Sequence, residues 1–273
     1  MKSVTFNIPD DRGKLYEVIK YPAGEIQVRL TLTGIMACDR KEEYVITANP
    51  IPDIIELAQL KDALDGLRHW HHRVLELMYL PYARADRRFA NGDSRGLMVF
   101  ADFINSFNFD LVYTFDVHSR ESELLIRNLV NIDPTHHYDQ FTPIIKELGA
   151  PDLCLIAPDK GAMARYDLSA YGLPIVLGGK TRNPKTGALS GFIIEPEIRK
   201  FKKGLMVDDI CDGGGTFIGL AETIHKLNPG IELSLYVSHG IFSKGLTELF
   251  KHFKKVYESD YSFRNGYPNE EKQ

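Results

Sequence analysis

The sequence predicts an α/β protein with mostly parallel sheets, on two observations. Short apolar runs alternate with stretches of helical period along most of the chain. Parallel strands need crossovers of that kind, which then cover both faces of a sheet. Several runs end in conspicuous polar segments: FDVHS at Phe115–Ser119, APDKG at Ala157–Gly161 and VDD at Val207–Asp209. In open α/β sheets, ligands bind beyond the carboxyl ends of the strands.

Strands are predicted over Val74–Tyr79, Leu111–Phe115, Leu153–Ala157, Pro174–Gly178, Gly204–Val207 and Ile231–Val237. Ile54, Leu57, Ala58, Leu64 and Leu67 fall on one face of a helix, and Ile218, Ala221, Ile224 and Leu227 on that of another. The stretch Asn131–Phe141 is polar and carries a proline, which places a division there. The expected domains are 1–134 and 135–273, two similar lobes without a residue-level repeat.

With 273 residues and 44% hydrophobic content, the chain can build a full core. The 33 Lys and Arg against 37 Asp and Glu, net −4, give no support to a broad nucleic-acid surface. RKFKKG at Arg199–Gly204 reads as a solvated face. Cys38, Cys154 and Cys211 are far apart and form no CxxC pair, which suits a reducing compartment. No apolar leader and no membrane-length run stand out, so a soluble cytoplasmic protein is expected.

The stretch VDDICDGGGT, Val207–Thr216, reads as the end of a strand, a polar loop and a helix start. Gly213, Gly214 and Gly215 can bring backbone N–H groups together, and such nests at a helix N-terminus bind phosphate oxygens. Thr216 is the expected helix cap. Asp208, Asp209 and Asp212 would repel a bare phosphate, but suit ribose hydroxyls or Mg²⁺. Two rival glycine motifs fail. The P-loop pattern would put its first glycine at Pro174, and DGGGTFIG lacks the dinucleotide spacing. His69, His71 and His72 lack the HExxH pattern, and His136 with His137 is an adjacent pair on a predicted loop; neither group reads as a metal site. Trp70 reads as packing.

DDxxDxGGT, matched by Asp208–Thr216, resembles the diphosphoribosyl-binding signature of type I phosphoribosyltransferase folds. Further stretches resemble the ribose-phosphate pyrophosphokinase family: YPAGEIQVRL (Tyr21–Leu30), the helix of Asn49–Leu67, PYARADRR (Pro81–Arg88), FDVHS, APDKGAMARY (Ala157–Tyr166), GGKTR (Gly178–Arg182) and SHGIFSKG (Ser238–Gly245). They occur in the family's order from Tyr21 to Gly245. The resemblance implies two tandem phosphoribosyltransferase-like lobes. It also implies transfer of the diphosphoryl group of ATP to the anomeric hydroxyl of ribose 5-phosphate, with AMP released. Its implied site residues are Lys180, Arg182 and His118 in catalysis, with Lys185 a weaker candidate on the same loop. Tyr21, Glu25, Arg84, Asp86 and Arg87 are implied at ATP, and Asp208, Asp209, Asp212, Gly213, Gly214, Gly215 and Thr216 at the sugar phosphate. Mg²⁺ is implied with His118, assisted by Asp116, and with Asp159. A homo-oligomer, at least a dimer, is implied because the Tyr21–Glu25 segment completes a partner's nucleotide pocket. TRNPKTGALSG (Thr181–Gly191) reads as a long mobile loop, a lid that carries cations.

Ala23, Ala85 and Gly213 depart from the family pattern at positions that usually carry an acid, a glutamine and a threonine. Gly213 removes a hydroxyl and gains room. That is compatible with ADP-ribose as acceptor, which a compact phage-type branch of the family uses. Ribose 5-phosphate is the favoured acceptor. A phosphoribosyltransferase would share the glycine loop but give no reason for PYARADR, FDVHS and GGKTR. A silent partner subunit would be expected to have lost residues that are present here: Lys180, Arg182, His118 and Asp159.

Overall fold

Strands form where the apolar runs lie, and they sort into separate sheets. The computed structural model describes residues 2–48, 52–135, 140–182 and 189–260. They divide into two units, one ending at Ile132 and the other starting at Asp133.

The first unit carries β1 (Ser3–Ile8), β2 (Tyr16–Lys20), β3 (Ile26–Leu30), α1 (Leu32–Ala37), β4 (Glu43–Ala48), α2 (Ile54–Leu67), β5 (His72–Glu76), α3 (Gly96–Ser106), β6 (Leu111–Phe115), α4 (Glu121–Leu125) and β7 (Leu129–Ile132). Its main sheet has the order β1-β4-β5-β6-β7, every pair parallel. β2 and β3 form a separate antiparallel hairpin. Helix α2 ends at Leu67 as expected but starts at Ile54: of the expected Asn49–Leu67, Pro52 and Asp53 precede the helix and 49–51 lie outside the described residues. Asp53 caps it by accepting from the backbone N–H groups of Ile55 and Glu56, at 2.9 and 3.3 Å. Leu57, Leu60 and Leu64 are fully buried, each contributing about 1.5–3 kcal/mol. Trp70 is packing, as expected: its ring meets Tyr44 edge-on and its Nε1 donates to the Leu64 carbonyl at 2.7 Å.

The second unit carries α5 (Phe141–Leu148), β8 (Leu153–Ala157), α6 (Lys160–Arg165), β9 (Ile175–Arg182), β10 (Leu189–Ile194), β11 (Lys203–Cys211), α7 (Gly215–Leu227), β12 (Glu232–Gly240) and β13 (Lys255–Glu258). The order is β10-β9-β8-β11-β12-β13, parallel except for the antiparallel edge pair β9–β10. Phe217, Leu220, Ala221 and Ile224 bury the inner face of α7.

Several expectations need correction. The strand predicted at Val74–Tyr79 is β5, His72–Glu76. Leu77 and Leu80 are buried just beyond its end, so the apolar run outlasts the strand. The strand predicted at Gly204–Val207 runs on to Cys211, so Asp208 and Asp209 are strand residues and not part of the loop. Thr181–Gly191 is not one long loop: its ends pair as β9 and β10, Thr181 opposite Gly191 and Arg182 opposite Leu189. Lys185, His136 and His137 lie outside the described residues. Seven strands were not anticipated: β1, β2, β3, β4, β7, β10 and β13. Most mix polar residues into the run, as in YEVIK and KVYE. All three cysteines are buried free thiols. Among the described residues no helix is long and apolar enough to cross a membrane.

Candidate active site

In the second unit β9, β8 and β11 are adjacent and parallel, so their carboxyl ends share one edge of the sheet. Lys180 sits near the end of β9, Asp159 follows β8, and Asp208 and Asp209 lie toward the end of β11. Asp159 divides its two oxygens. Oδ1 caps α6, accepting from Gly161 and Ala162 N–H at 2.9 and 3.1 Å, while Oδ2 stands 3.3 Å from Lys180 Nζ. The capping role and the paired role therefore coexist. Buried Asp209 pairs with Arg165 at 3.3 Å. Partly buried Asp208 has its carboxyl pushed well above the usual carboxylate range. Burial is the main cause, Asp209 adds to it, and Asp159 contributes further. A strand-end acid that resists ionisation beside other acids marks a place where added positive charge is favoured.

Arg165, the ninth residue of APDKGAMARY, is a further member of this site. Its signal was its place at the end of the short helix that Asp159 opens, which brings its guanidinium to Asp209.

Beyond β11 the chain turns sharply. Of the three glycines only Gly214 has positive φ, +75°, a conformation that favours glycine. A Cβ there would also meet Leu249 at 3.2 Å. Gly214 is the N-cap of α7 and Gly215 its first residue, so Thr216 lies inside the first turn and is not the cap. The first-turn N–H groups have no partner within the helix. Asp212 Oδ1 accepts from Ser243 Oγ at 2.6 Å. The sugar-phosphate candidates thus split into strand acids, Asp208 and Asp209, and a loop from Asp212 to Thr216.

The first unit assembles a different set. After β6, buried Asp116 has φ +44°, and Val117 N–H donates to Asn131 Oδ1 at 3.1 Å. His118 is exposed. Ser119 Oγ donates to Asp86 Oδ2 at 2.9 Å, tying FDVHS to PYARADRR. Arg87 Nε lies 3.9 Å from Asp86 Oδ1, and Arg95 Nε donates to the Asp86 carbonyl at 3.4 Å. A cleft of about 310 Å³ is lined by Asp86, Arg87, Arg88, Arg95 and Glu121. Arg95 was not anticipated, and exposed Arg88 joins the lining. Arg84 is exposed and lies outside that lining. Tyr21 and Glu25 sit elsewhere, on the turn of the β2–β3 hairpin. Tyr21 N–H donates to the Glu25 carbonyl at 2.9 Å and its hydroxyl to Gln27 at 2.6 Å. Arg182 belongs to β9 by its backbone, opposite Leu189.

Seven described non-glycine residues have positive φ, and three of them, Tyr82, Asp116 and Phe242, fall in PYARADRR, FDVHS and SHGIFSKG. Such a conformation costs about 1–3 kcal/mol and persists where surrounding structure enforces it.

Among the described residues no three His, Cys, Asp or Glu side chains form a ready-made metal cage. Mg²⁺ on a phosphate substrate needs only one or two carboxylates, and the oxygen donors at Asp159 and Asp208 fit that requirement.

Two α/β units, one with a glycine turn opening a helix at a strand end, define a pair of phosphoribosyltransferase-type lobes. A solved phosphoribosylpyrophosphate synthetase from Mycobacterium smegmatis shares this fold at TM-score 0.74 and 19% identity, over 100% of this chain and 92% of that one. No family model matches. The ribose-phosphate pyrophosphokinases of Mycoplasma genitalium and Cereibacter sphaeroides are 27% and 29% identical over 77% and 74% of this chain. The chain spans 64% and 61% of the length of those two relatives. That of Thermococcus kodakarensis is 28% identical, covering 85% of this chain and 80% of its own. The chain is thus similar in sequence to ribose-phosphate pyrophosphokinases and in fold to a phosphoribosylpyrophosphate synthetase.

Proposed function

We propose that the protein transfers the diphosphoryl group of ATP to the anomeric hydroxyl of ribose 5-phosphate, giving phosphoribosyl diphosphate and AMP. The observation that carries this reading is the second unit's strand-end edge, where Lys180, Asp159, Asp208 and Asp209 stand beside a glycine turn and a helix N-terminus. Family resemblance supports it.

In this reading the anomeric oxygen attacks the β-phosphorus and loses its proton. The bond from that phosphorus to the oxygen shared with the α-phosphate breaks, and AMP leaves with that oxygen. Lys180 turns from Asp159 to the transferring phosphates, and Arg182 acts with it. Preorganised cations at developing charge are a large term in catalysis. Asp208 and Asp209 take the ribose hydroxyls, and the Asp212–Thr216 loop takes the 5-phosphate through first-turn N–H groups. Arg84 and Arg87 donate to ATP, with Asp86 held in place by Ser119 and Arg95. Mg²⁺ would supply neutralisation of phosphate charge when bound, and the candidates to hold it are Asp159 in the second unit and His118 in the first.

The Tyr21–Glu25 turn is an exposed hairpin tip, which supports its insertion into a partner's nucleotide site and hence a homodimer at least. Three buried free thiols agree with a cytoplasmic location.

The assay combines ATP, Mg²⁺ and ribose 5-phosphate and measures AMP and an acid-labile diphosphorylated sugar, with ADP-ribose in a parallel arm. AMP in the first arm is the expected result. No AMP in either arm sinks the proposal.

A further inference from the structure

Lys244 has no role in the site as described, yet it lies against the glycine loop. A Cβ added at Gly213 would meet Lys244 Cε at 3.4 Å, Cδ at 3.5 Å and Cγ at 3.8 Å. The stem of this lysine therefore occupies the space beside position 213. The segment is anchored by the preceding residue, since Ser243 Oγ donates to Asp212 at 2.6 Å. Phe242, one residue earlier, is buried with φ +46°, a shape maintained by its surroundings.

The charges nearby make the position informative. Asp208, Asp209 and Asp212 give the loop region three acids, which oppose a phosphate. Of the cations on this edge, Arg165 is paired with Asp209 and Lys180 with Asp159. Lys244 is exposed and makes no ion pair among the described residues. Its stem runs alongside the loop, and a four-carbon chain lets an ammonium follow a phosphate with several donors. A Cβ at 213 would rest in ordinary van der Waals contact with that stem.

We propose that Lys244 binds the 5-phosphoryl group of a phosphorylated ribose held on the Asp212–Thr216 loop, supplying from a later segment the contact that Gly213 has no side chain to make. The inference rests on the sugar-phosphate reading of that loop. Ribose 5-phosphate and ADP-ribose both present a phosphoryl group on C5, so the chemistry recognised is shared.

The test is calorimetric titration of the full chain with ribose 5-phosphate, ADP-ribose and plain ribose, at low and high salt. Lys244→Ala is expected to weaken both phosphorylated ligands about ten-fold or more, the loss of one charge-assisted contact, and to flatten their salt dependence. Any binding of plain ribose should not change. Lys244→Arg should restore most of the affinity. Gly213→Thr, which puts a hydroxyl beside the same stem, should make the further loss from Lys244→Ala smaller than it is in the wild type. Unaltered affinity in a folded Lys244→Ala overturns the proposal, as does a wild-type protein that binds neither phosphorylated ribose. A ligand loss in Lys244→Ala, with no AMP formed from ATP by the wild type, leaves the role of Lys244 standing and removes the diphosphokinase reading. The ligand with the larger loss identifies the acceptor.

Discussion

Glu56 in the first unit is a buried acid and Asp208 in the second a partly buried one, and their neighbours treat them in opposite ways. Glu56 is 1% exposed, yet its carboxylate is answered at every turn. Arg12 binds both oxygens, with Nε to Oε1 at 2.7 Å, and the Tyr16 hydroxyl donates to Oε1 at 2.9 Å. The Arg12 guanidinium holds its proton more tightly in consequence, and burial followed by Glu56 pushes the Tyr16 hydroxyl up. Asp208 instead lies beside a second acid, Asp209, and faces a third, Asp159. The comparison teaches that enclosure alone does not mark a functional acid. A carboxylate whose partners are complete holds the fold together, whereas one set against like charge stores electrostatic cost that a bound cation or ligand relieves.

The largest effect tests the second unit's chemistry. Lys180→Ala should lower kcat by about 10²–10³-fold, the scale of losing one electrostatic contact to the transferring group. Its melting temperature should stay close to wild type, because the partly exposed Lys180–Asp159 pair adds little stability. Turnover retained in steady-state assays would remove Lys180 from the mechanism and weaken the contrast between the units.

Glu56→Gln should come next, measured by thermal unfolding. It leaves Arg12 and Tyr16 without an ionised partner and should cost about 1–3 kcal/mol. At roughly 2–4 °C per kcal/mol for a chain near this size, the drop is easily read. A melting temperature at or above wild type would put Glu56 in the same class as Asp208.

Asp208→Asn should move stability the other way. The folded carboxyl is raised above its ordinary value of 3.8, so its favourable contribution is complete below that value and is lost as pH rises through the folded one. The amide does not titrate. The variant's advantage should thus be absent in acid and grow upward from about pH 4 until the folded carboxyl ionises, a gain of roughly 2–4 °C if about 1 kcal/mol is released. Activity should fall in the same variant. A variant that melts lower than wild type at neutral pH breaks the comparison.

Ser119→Ala should have the smallest effect. Loss of the hydrogen bond to Asp86 should raise KM for ATP about three- to ten-fold, on the scale of one hydrogen bond, with kcat less altered. An unchanged KM would show that the two loops of the first unit are held without this bond.

Much of this contrast was legible locally. Dense apolar runs gave β6 and β8 at their observed bounds, because strands buried by helices need little besides apolar residues. Asp53 and the leucines of α2 announced that helix by cap and period. The motif segments named the candidate residues, since their chemistry is carried by residue type and short spacing. The acids of β11 misled, because an acidic pair reads as loop until a partner such as Arg165 is known. β1 and β4 pair across a gap of about forty residues, and no local pattern carries that pairing.

The sequence by itself determined the class of fold, the order of the motifs and the stock of acids, cations and glycines. Those features depend on composition and on periods a few residues long. Tertiary structure decided which charges are answered: Arg165 on Asp209, Lys180 on Asp159, Ser119 on Asp86, and the stem of Lys244 beside Gly213. Electrostatic cost depends on distance through space and on exclusion of water, and neither is a property of neighbouring letters in a chain.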